Sequence, residues 1–279
     1  MSEKQSLLQL KNVSKKFGIG TLDEVTALGN INLCINTGNF ITIIGSNGAG
    51  KTTLLNIIAG VYPPERGGNI TINNKDITSL NEHKRSQYFG RVYQDPHIGT
   101  AAKMTLAENL SLAIARGRSR GLRVATTRKR LIYFQEILAT LQLGLEDRLN
   151  TMVGTLSGGQ RQALALVMAT ISKPALLLLD EHTAKLDPNT VGIVLGITEN
   201  IISNEKITAL MVTHNMEHAL RYGSRLLMLH KGKIIVDLNR EQRNDINVSD
   251  LLTAFEQGSG EQLTDDSILL SSSKPTDDE

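Results

Sequence analysis

A glycine-rich loop reads Gly45-Ser46-Asn47-Gly48-Ala49-Gly50-Lys51-Thr52 and lies between two apolar segments. The segment before it, Phe40–Ile44, is short and rich in β-branched residues, as in a buried strand. The segment after it, Lys51–Ala59, reads as a helix. Gly, four residues and then Gly-Lys-Thr is the pattern of a phosphate-binding loop in its strand–loop–helix context. Its glycines let backbone amides turn towards phosphate oxygens, and the helix N-terminus adds a positive dipole end. The loop predicts an α/β protein that binds a nucleoside phosphate, and it leaves kinases, GTPases and ATPases open.

The second chemical signal is an acidic pair after a leucine run. Residues 175–179 read Ala-Leu-Leu-Leu-Leu, which predicts a buried strand, and Asp180-Glu181 follow directly. Ligands collect at the carboxyl ends of parallel strands. We therefore expect Asp180 to bind Mg²⁺ together with the Thr52 hydroxyl, and Glu181 to polarise an attacking water, while Lys51 reaches the β- and γ-phosphates. The alternative is an acidic turn that caps the next helix.

A third motif reads Leu156-Ser157-Gly158-Gly159-Gln160 and precedes a helical run at 161–170. A serine and two glycines at a helix start form a second anion site. One chain does not need two phosphate cradles for one nucleotide, whereas two copies arranged head to tail would use one of each per ATP. Here the sequence resembles the ABC (ATP-binding cassette) ATPases, whose Leu-Ser-Gly-Gly-Gln signature stands unaltered.

The resemblance extends over about residues 5–240 and implies further roles. Gln94 resembles the glutamine that touches Mg²⁺ and water, residues 184–187 resemble the loop that crosses the dimer interface, and His214 resembles the histidine that contacts the γ-phosphate. Phe17 resembles the aromatic residue that stacks on adenine; a core phenylalanine is the alternative, and Tyr62 is less favoured for that role. The resemblance assigns ATP contacts to Phe17, Gly45, Ser46, Asn47, Gly48, Ala49, Gly50, Lys51, Thr52, Thr53, Ser157, Gly158, Gly159 and Gln160, metal contacts to Thr52, Gln94 and Asp180, and catalysis to Glu181, His214 and Gln94.

Two departures from the family pattern remove no group that hydrolysis needs. His182 stands where the family commonly has proline, and we expect it to loosen the turn slightly. The helix after the signature is less rich in arginine and alanine than usual. Because Glu181 and His214 are both present, we expect an active ATPase in a head-to-tail dimer, with Ser157 and Gly159 of one subunit closing on the γ-phosphate held by the other.

The predicted fold class is α/β, a P-loop ATPase core with an antiparallel β piece and a helical subdomain insertion. We expect one ATPase domain over residues 5–257, with the helical insertion at about 100–170. Predicted strands are 7–11, 31–35, 40–44, 70–72, 91–93, 175–179, 208–212 and 226–229. Residues 258–279 hold six acidic residues and one basic residue and are rich in Gly and Ser, which predicts a disordered acidic tail.

Composition narrows the function further. The net charge is only +2, which gives no polyanion-binding signature and no expected nucleic-acid partner. No apolar run approaches the roughly 20 residues of a membrane-spanning helix, and the start of the chain lacks the apolar segment of a signal peptide. Cys34 is the one cysteine, so no intrachain disulfide can form, and we expect it to be a small buried hydrophobe.

We therefore expect a peripheral subunit on the cytoplasmic face of the membrane that energises solute transport through a separate permease. Import is favoured over export, because many exporter cassettes are fused to their membrane spans. The predicted partners are a second nucleotide-binding subunit, the permease and an extracytoplasmic solute-binding protein. Residues 99–110 and 116–122 resemble cassettes of amino-acid uptake systems of the branched-chain or tryptophan/tyrosine type. Seven bases and no acid between Arg116 and Arg130 are either a solvated face or a contact with the permease or anionic lipid. The alternatives are an exporter cassette and a non-transport ATPase that acts on nucleic acid or in assembly.

Overall fold

The computed structural model describes residues 6–117 and 126–260. The chain divides into two compact units, Met1–Ser79 with Leu210–Glu279, and Leu80–Ala209, and each is described by itself. The strands are β1 Ser6–Phe17, β2 Val25–Asn36, β3 Phe40–Ile44, β4 Asn69–Ile72, β5 Lys75–Asp76, β6 Phe89–Val92, β7 Leu176–Asp180, β8 Thr208–Val212, β9 Arg225–His230 and β10 Lys233–Leu238. The helices are α1 Lys51–Ala59, α2 Glu82–Arg85, α3 Leu106–Ile114, α4 Arg128–Ala139, α5 Gly158–Thr170, α6 Pro188–Glu205, α7 Met216–Arg221, α8 Arg240–Asn244 and α9 Val248–Ser259.

The first unit contains the predicted antiparallel piece, a four-stranded sheet in the order β2-β1-β4-β5. Strands β1 and β2 are each 12 residues long, more than twice the predicted length. Along β2, Ile31, Leu33 and Ile35 are buried and the residues between them are exposed, since successive side chains of a strand point to opposite faces. Cys34 lies on the exposed face, with its Sγ 3.3 Å from Ser6 Oγ, so the expectation that it is buried is wrong.

The same unit holds the strand that leads into the glycine-rich loop. Strand β3 is buried at every position and runs parallel to β9, which pairs in turn with antiparallel β10. Lys231 and Gly232, with φ of 43° and 75°, form the two-residue turn between β9 and β10. Positive φ at both positions is what a tight hairpin turn between twisted strands requires.

Helix α9 covers one apolar cluster of this unit. Its Leu251 and Phe255 are buried against Met216, Ala219 and Met228. The helix continues to Ser259, two residues beyond the predicted end of the domain at residue 257, and is capped by Gly260 with φ 70°. Residues 261–279 lie outside the described part of the chain, as does most of the predicted acidic tail.

The second unit contains the predicted helical insertion. Helices α3, α4 and α5 and two 3₁₀ turns, Glu146–Arg148 and Val153–Thr155, lie between β6 and β7 in sequence. Strands β6 and β7 are parallel, and their register pairs Arg91 with Leu178. Buried side chains of the helices, such as Phe134 and Leu138 of α4, form the core of this insertion. Among the described helices of the whole chain, none is long and apolar enough to cross a membrane.

Candidate nucleotide site

The backbone of the glycine-rich loop adopts conformations that are unfavourable for residues with a Cβ. Gly45, Gly48 and Gly50 have φ of 147°, 76° and 99°. A Cβ on Gly45 would lie 2.1 Å from the Leu229 carbonyl oxygen, and one on Gly50 would lie 2.4 Å from the Ala27 carbonyl oxygen. Because backbone atoms cannot swing aside, the loop needs glycine at both positions for space as well as for conformation.

Lys51 folds back over this loop. Its side chain is 6% exposed, and Nζ donates to the carbonyl oxygens of Gly45 at 2.6 Å and Ser46 at 3.1 Å. These bonds hold the ammonium group against the loop. Thr52 and Thr53 follow in the first turn of α1, and Asn47 and Ala49 complete the turn of the loop. All nine predicted residues from Gly45 to Thr53 therefore lie in one loop and helix start.

The N-terminus of α1 differs from that of every other α-helix in the described residues. The N-cap residue of α1 is Gly50, which makes no side-chain hydrogen bond, whereas each of α2 to α9 begins after a residue whose side chain accepts a bond from a first-turn amide. Backbone N–H groups at a helix start need an acceptor. At α1 the cap residue has no side chain that could supply one, which fits a phosphate group in that position.

Phe17 is not a core residue. It is 36% exposed, and its ring meets that of Tyr62 edge to face at a centroid distance of 5.2 Å. Lys15 Nζ lies 5.5 Å from the centre of the Phe17 ring. The core alternative is therefore wrong, and the exposed Phe17 ring, packed on half-buried Tyr62, offers a surface on which a base can stack. The part played by Tyr62, as the support of Phe17, was missed by the sequence reasoning.

The acidic pair lies at the end of buried β7. Asp180 is 7% exposed and accepts a hydrogen bond from Arg91 Nη2 at 3.2 Å. Glu181 has φ 46°, an uncommon conformation for a residue with a side chain, and its Oε2 accepts from Gln94 Nε2 at 3.3 Å. The structure therefore brings together three predicted residues, Gln94, Asp180 and Glu181, within the second unit.

Sequence reasoning missed Arg91. It pairs in register with Leu178, and Asp180, two residues further along β7, points to the same face of the strand. The guanidinium also lies 4.6 Å from the centre of the Tyr93 ring. Predicting this contact would require the register of β6 against β7, which the sequence alone does not reveal.

The signature motif begins α5. Ser157 is the N-cap: its Oγ accepts from Gln160 N at 3.2 Å, and Gln160 Oε1 accepts from Ser157 N at 3.3 Å, which is a capping box. A Cβ on Gly159 would lie 2.2 Å from Thr190 Cγ2 on α6, and one on Gly158 would lie 3.4 Å from Leu186 Cδ2. The second glycine is therefore needed for the packing of α5 on α6, whatever else it contacts.

An ion pair connects the loop after Gln94 with the loop after Glu181. Lys185 Nζ lies 2.9 Å from Asp95 Oδ2, and this hydrogen bond is the main cause that lowers the pKa of Asp95 below its ordinary value. Asp187, at the end of the 184–187 segment, caps α6 by accepting from Thr190 N at 3.1 Å. The residue after Gln94 is thus connected to the segment that the resemblance places at a dimer interface.

His182, which stands where the family commonly has proline, makes a buried contact. The ring is 2% exposed, and Nε2 lies 3.0 Å from Thr198 Oγ1 on α6. The expectation that His182 loosens its turn stays a prediction.

His214 lies in the first unit between β8 and α7. Thr213 N donates to Ile43 O at 3.0 Å, and the Asn215 side chain caps α7. The residues on both sides of His214 are therefore held by hydrogen bonds.

Arg116, the first residue of the basic run, is taken up by the fold. Its Nη2 donates to Met168 O at 3.1 Å and its Nη1 to Ala169 O at 3.4 Å, at the C-terminal end of α5. Burial lowers the pKa of this guanidinium. Arg128 and Lys129, at the start of α4, are exposed, and residues 118–125 lie outside the described residues. The run is thus neither uniformly solvated nor uniformly available to a partner.

A buried strand, a glycine loop that folds its lysine inward, a helix start capped by glycine and an acidic strand end define a P-loop nucleoside triphosphatase. Residues 28–184 match the family described as ABC transporter. The chain is 45% identical over 250 residues to the tyrosine transport ATP-binding protein of Clostridioides difficile, covering 90% of this chain and 99% of that protein. It is 31% identical over 253 residues to a xylose/arabinose import ATP-binding protein of Sulfolobus acidocaldarius, covering 90% and 96%.

Solved structures agree with this assignment. A dimeric ATP-binding cassette in a post-hydrolysis state, bound to ADP and Pi, aligns with a TM-score of 0.71 at 29% identity, over 84% of this chain and 99% of that chain. The chain belongs to the ABC transporter family, as an ATP-binding subunit with ATPase activity. The predicted family, fold class and enzyme class are confirmed.

Proposed function

We propose that this chain hydrolyses ATP in a head-to-tail dimer to drive the import of an amino acid, of the tyrosine class, through a separate permease. The observation that carries the substrate class is the 45% identity to a tyrosine transport ATP-binding protein across 99% of that protein. A likeness over the full length includes the surfaces that meet a permease as well as the nucleotide site. The chain would then lie at the cytoplasmic face of the membrane, and a solute-binding protein would deliver the amino acid.

The loop and α1 hold the triphosphate. First-turn amides of α1 and the amides of the glycine loop donate to phosphate oxygens, and Lys51 exchanges its bonds to loop carbonyls for bonds to the β- and γ-phosphates. Phe17 stacks on the adenine. Ser157 and Gly159 of the second subunit contact the γ-phosphate and close the site, so a single copy holds only part of each site.

Mg²⁺ fits the residues present, and it would supply neutralisation of phosphate charge. Its candidate ligands, Thr52, Gln94 and Asp180, include one carboxylate, and Mg²⁺ is commonly held by one or two carboxylates with substrate phosphates and water. Within the described residues no cluster of three or more His, Cys, Asp or Glu forms a metal cage. Arg91 Nη2 forms an ion pair with Asp180 Oδ2 at 3.2 Å.

Glu181 takes the proton of the attacking water. Its Oε2 is oriented by Gln94, and the water attacks the γ-phosphorus while the bond to the β-phosphate oxygen breaks. His214 donates to the γ-phosphate and stabilises the charge that grows there. Release of phosphate removes the contacts that close the dimer, and the dimer opens.

The hydrolytic roles are tested with Glu181→Gln, which keeps the shape of the side chain and removes the base. We expect ATP binding close to that of the wild type and turnover reduced by at least about 100-fold, as for the loss of a general base. Glu217→Gln, in α7, is the matched control and should retain turnover. Full activity in the Glu181 variant would show that another group takes the proton.

The transport role is tested by purifying tagged protein from membranes in mild detergent and identifying what is retained. We expect a multi-spanning permease in a stoichiometric amount. The complex is then reconstituted in vesicles with the nucleotide site outward and labelled tyrosine on either side. Import into a cell corresponds to ATP-dependent exit from such vesicles. ATP-dependent accumulation of tyrosine in the vesicles would indicate an exporter. If the tagged protein were instead recovered with ribosomes or nucleic acid, the transport function would be wrong.

A further inference from the structure

The turn that carries Glu181 is held in an unfavourable conformation. Glu181 has φ 46°, in the left-handed region that costs a residue with a Cβ free energy. Its carbonyl oxygen accepts from Ala184 N at 3.0 Å, which closes a β-turn with His182 at the second position. Proline at that position would restrict φ covalently, whereas histidine imposes no such restriction. A contact of the His182 side chain can replace that restriction, in addition to the backbone hydrogen bonds of the turn.

His182 makes such a contact in the interior. It is 2% exposed and Thr198, on α6, is 1% exposed. Thr198 Oγ1 donates its one hydrogen to Val194 O at 2.8 Å. The 3.0 Å contact between Thr198 Oγ1 and His182 Nε2 is therefore a bond that the imidazole N–H donates. The imidazole is fixed to the second turn of a long helix through two successive hydrogen bonds.

We propose that His182 and Thr198 are positioning residues that hold Glu181 in its left-handed conformation and so aim its carboxylate. Glu181 is fixed on one side by the ladder of β7, which ends at Asp180, and on the other by buried His182. Without the second anchor the turn relaxes to a conformation with negative φ. The carboxylate then moves away from Gln94 Nε2, its 3.3 Å partner. The inference rests on the proposed role of Glu181 as the base.

The test compares His182→Phe, which keeps a ring without a donor, with Thr198→Val and Thr198→Ser. We expect kcat to fall about 10- to 100-fold in the first two, since a misplacement of about 1 Å costs up to about 100-fold. KM for ATP should stay within about twofold, because the glycine loop and Lys51 are untouched. Thr198→Ser keeps the hydroxyl and should keep kcat. The double variant H182F/T198V should be no slower than H182F, because each substitution removes the same hydrogen bond.

A measurement without nucleotide separates positioning from general stability. Hydrogen exchange of a peptide over residues 181–187 should become faster in H182F and T198V and stay unchanged in T198S. Unfolding temperatures are recorded for each variant, and rates are compared well below the lowest of them. Variants that are less stable yet keep the wild-type kcat would overturn the proposal and leave His182 as a packing residue.

Failure of the positioning role and failure of the base assignment give different results. If Glu181→Gln is inactive while H182F is fully active, the positioning role fails and the proposed base stands. If Glu181→Gln is fully active, the base assignment fails first. The exchange data then show only whether His182 holds the turn.

Discussion

Gly159→Ala creates a clash whose partner, Thr190, the structure identifies. Gly159 lies in the first turn of α5, where its added Cβ would be 2.2 Å from Thr190 Cγ2. That separation is far below van der Waals contact, and Thr190 on α6 can relieve it only by changing its χ1 rotamer or by a shift of the helix. We expect the overpacking to destabilise the protein by about 1–3 kcal/mol. It opposes the gain of up to about 1 kcal/mol that alanine brings to a helix.

A second substitution isolates the clash. Thr190→Ser removes Cγ2, after which the nearest remaining atoms, Cβ and Oγ1 of residue 190, lie 3.6 and 3.8 Å from the added Cβ in the present geometry. The bond from the backbone N of residue 190 to the α6 cap is kept. Gly159→Ala with Thr190→Ser should therefore be at least as stable as Thr190→Ser alone. The coupling free energy between the two substitutions should be about 1–3 kcal/mol.

The assay is thermal unfolding of the four proteins of this cycle without nucleotide, with urea unfolding as a check. A change of 1 kcal/mol corresponds to about 2–4 °C for a chain of this size. Gly192→Ala is the control: it lies in α6 with nothing within 4 Å of its added Cβ, so it reports helix propensity without a clash. A coupling free energy near zero would refute the reasoning that packing requires this glycine.

Three further predictions concern other parts of the molecule. Gly45→Ala should abolish ATP binding in a fluorescent-nucleotide titration, because its Cβ would lie 2.1 Å from a backbone oxygen of β9. Arg116→Met should lower the free energy of unfolding by about 1–2 kcal/mol through loss of bonds to the α5 terminus, while exposed Arg128→Met changes it by less than about 0.5 kcal/mol. Burial lowers the pKa of His218 below 6.5, so the unfolded state takes up the proton first and stability is lost as pH falls through the ordinary histidine range. His218→Gln should reduce that loss in urea unfolding measured at a series of pH values.

The strand–loop–helix around Lys51 could be predicted almost to the residue because its signals are local. Helix α1 and strands β3 and β8 have the predicted bounds, since apolar runs and glycine turns determine each of them within a few residues. Strands β1 and β2 were predicted at less than half their length. The added half of β1, residues 12–17, is mostly polar and charged, and that of β2, residues 25–30, contains Gly29 and Asn30. Neither half shows a clear strand pattern by itself, and the two pair with each other.

Contacts that depend on register or burial could not be predicted. Arg91 reaches Asp180 because β6 and β7 align in one particular register, and no residue near Arg91 in sequence indicates it. Cys34 is exposed because β2 alternates, and a shift of one residue would have buried it. His182 was interpreted as the loss of a proline. Its compensating partner, Thr198, lies 16 residues further along the chain, so the bond that replaces the covalent restriction is invisible in the local pattern.

The helix caps show how local and tertiary information combine at the candidate site. A capping box can be predicted from sequence, as at Thr105 with Glu108 and at Ser157 with Gln160. Ser157 is thus both a predicted phosphate contact and, in this single chain, the acceptor for its own helix. Gly50 is different, because the α1 start has glycine where the other described α-helices have a capping side chain. The two predicted phosphate sites therefore use different groups: at the α1 start the backbone amides face a phosphate with no capping side chain in the way, whereas Ser157 Oγ keeps accepting from Gln160 N while its hydroxyl hydrogen can donate to a phosphate held by the second subunit. Neither site has to break a helix cap in order to bind a phosphate.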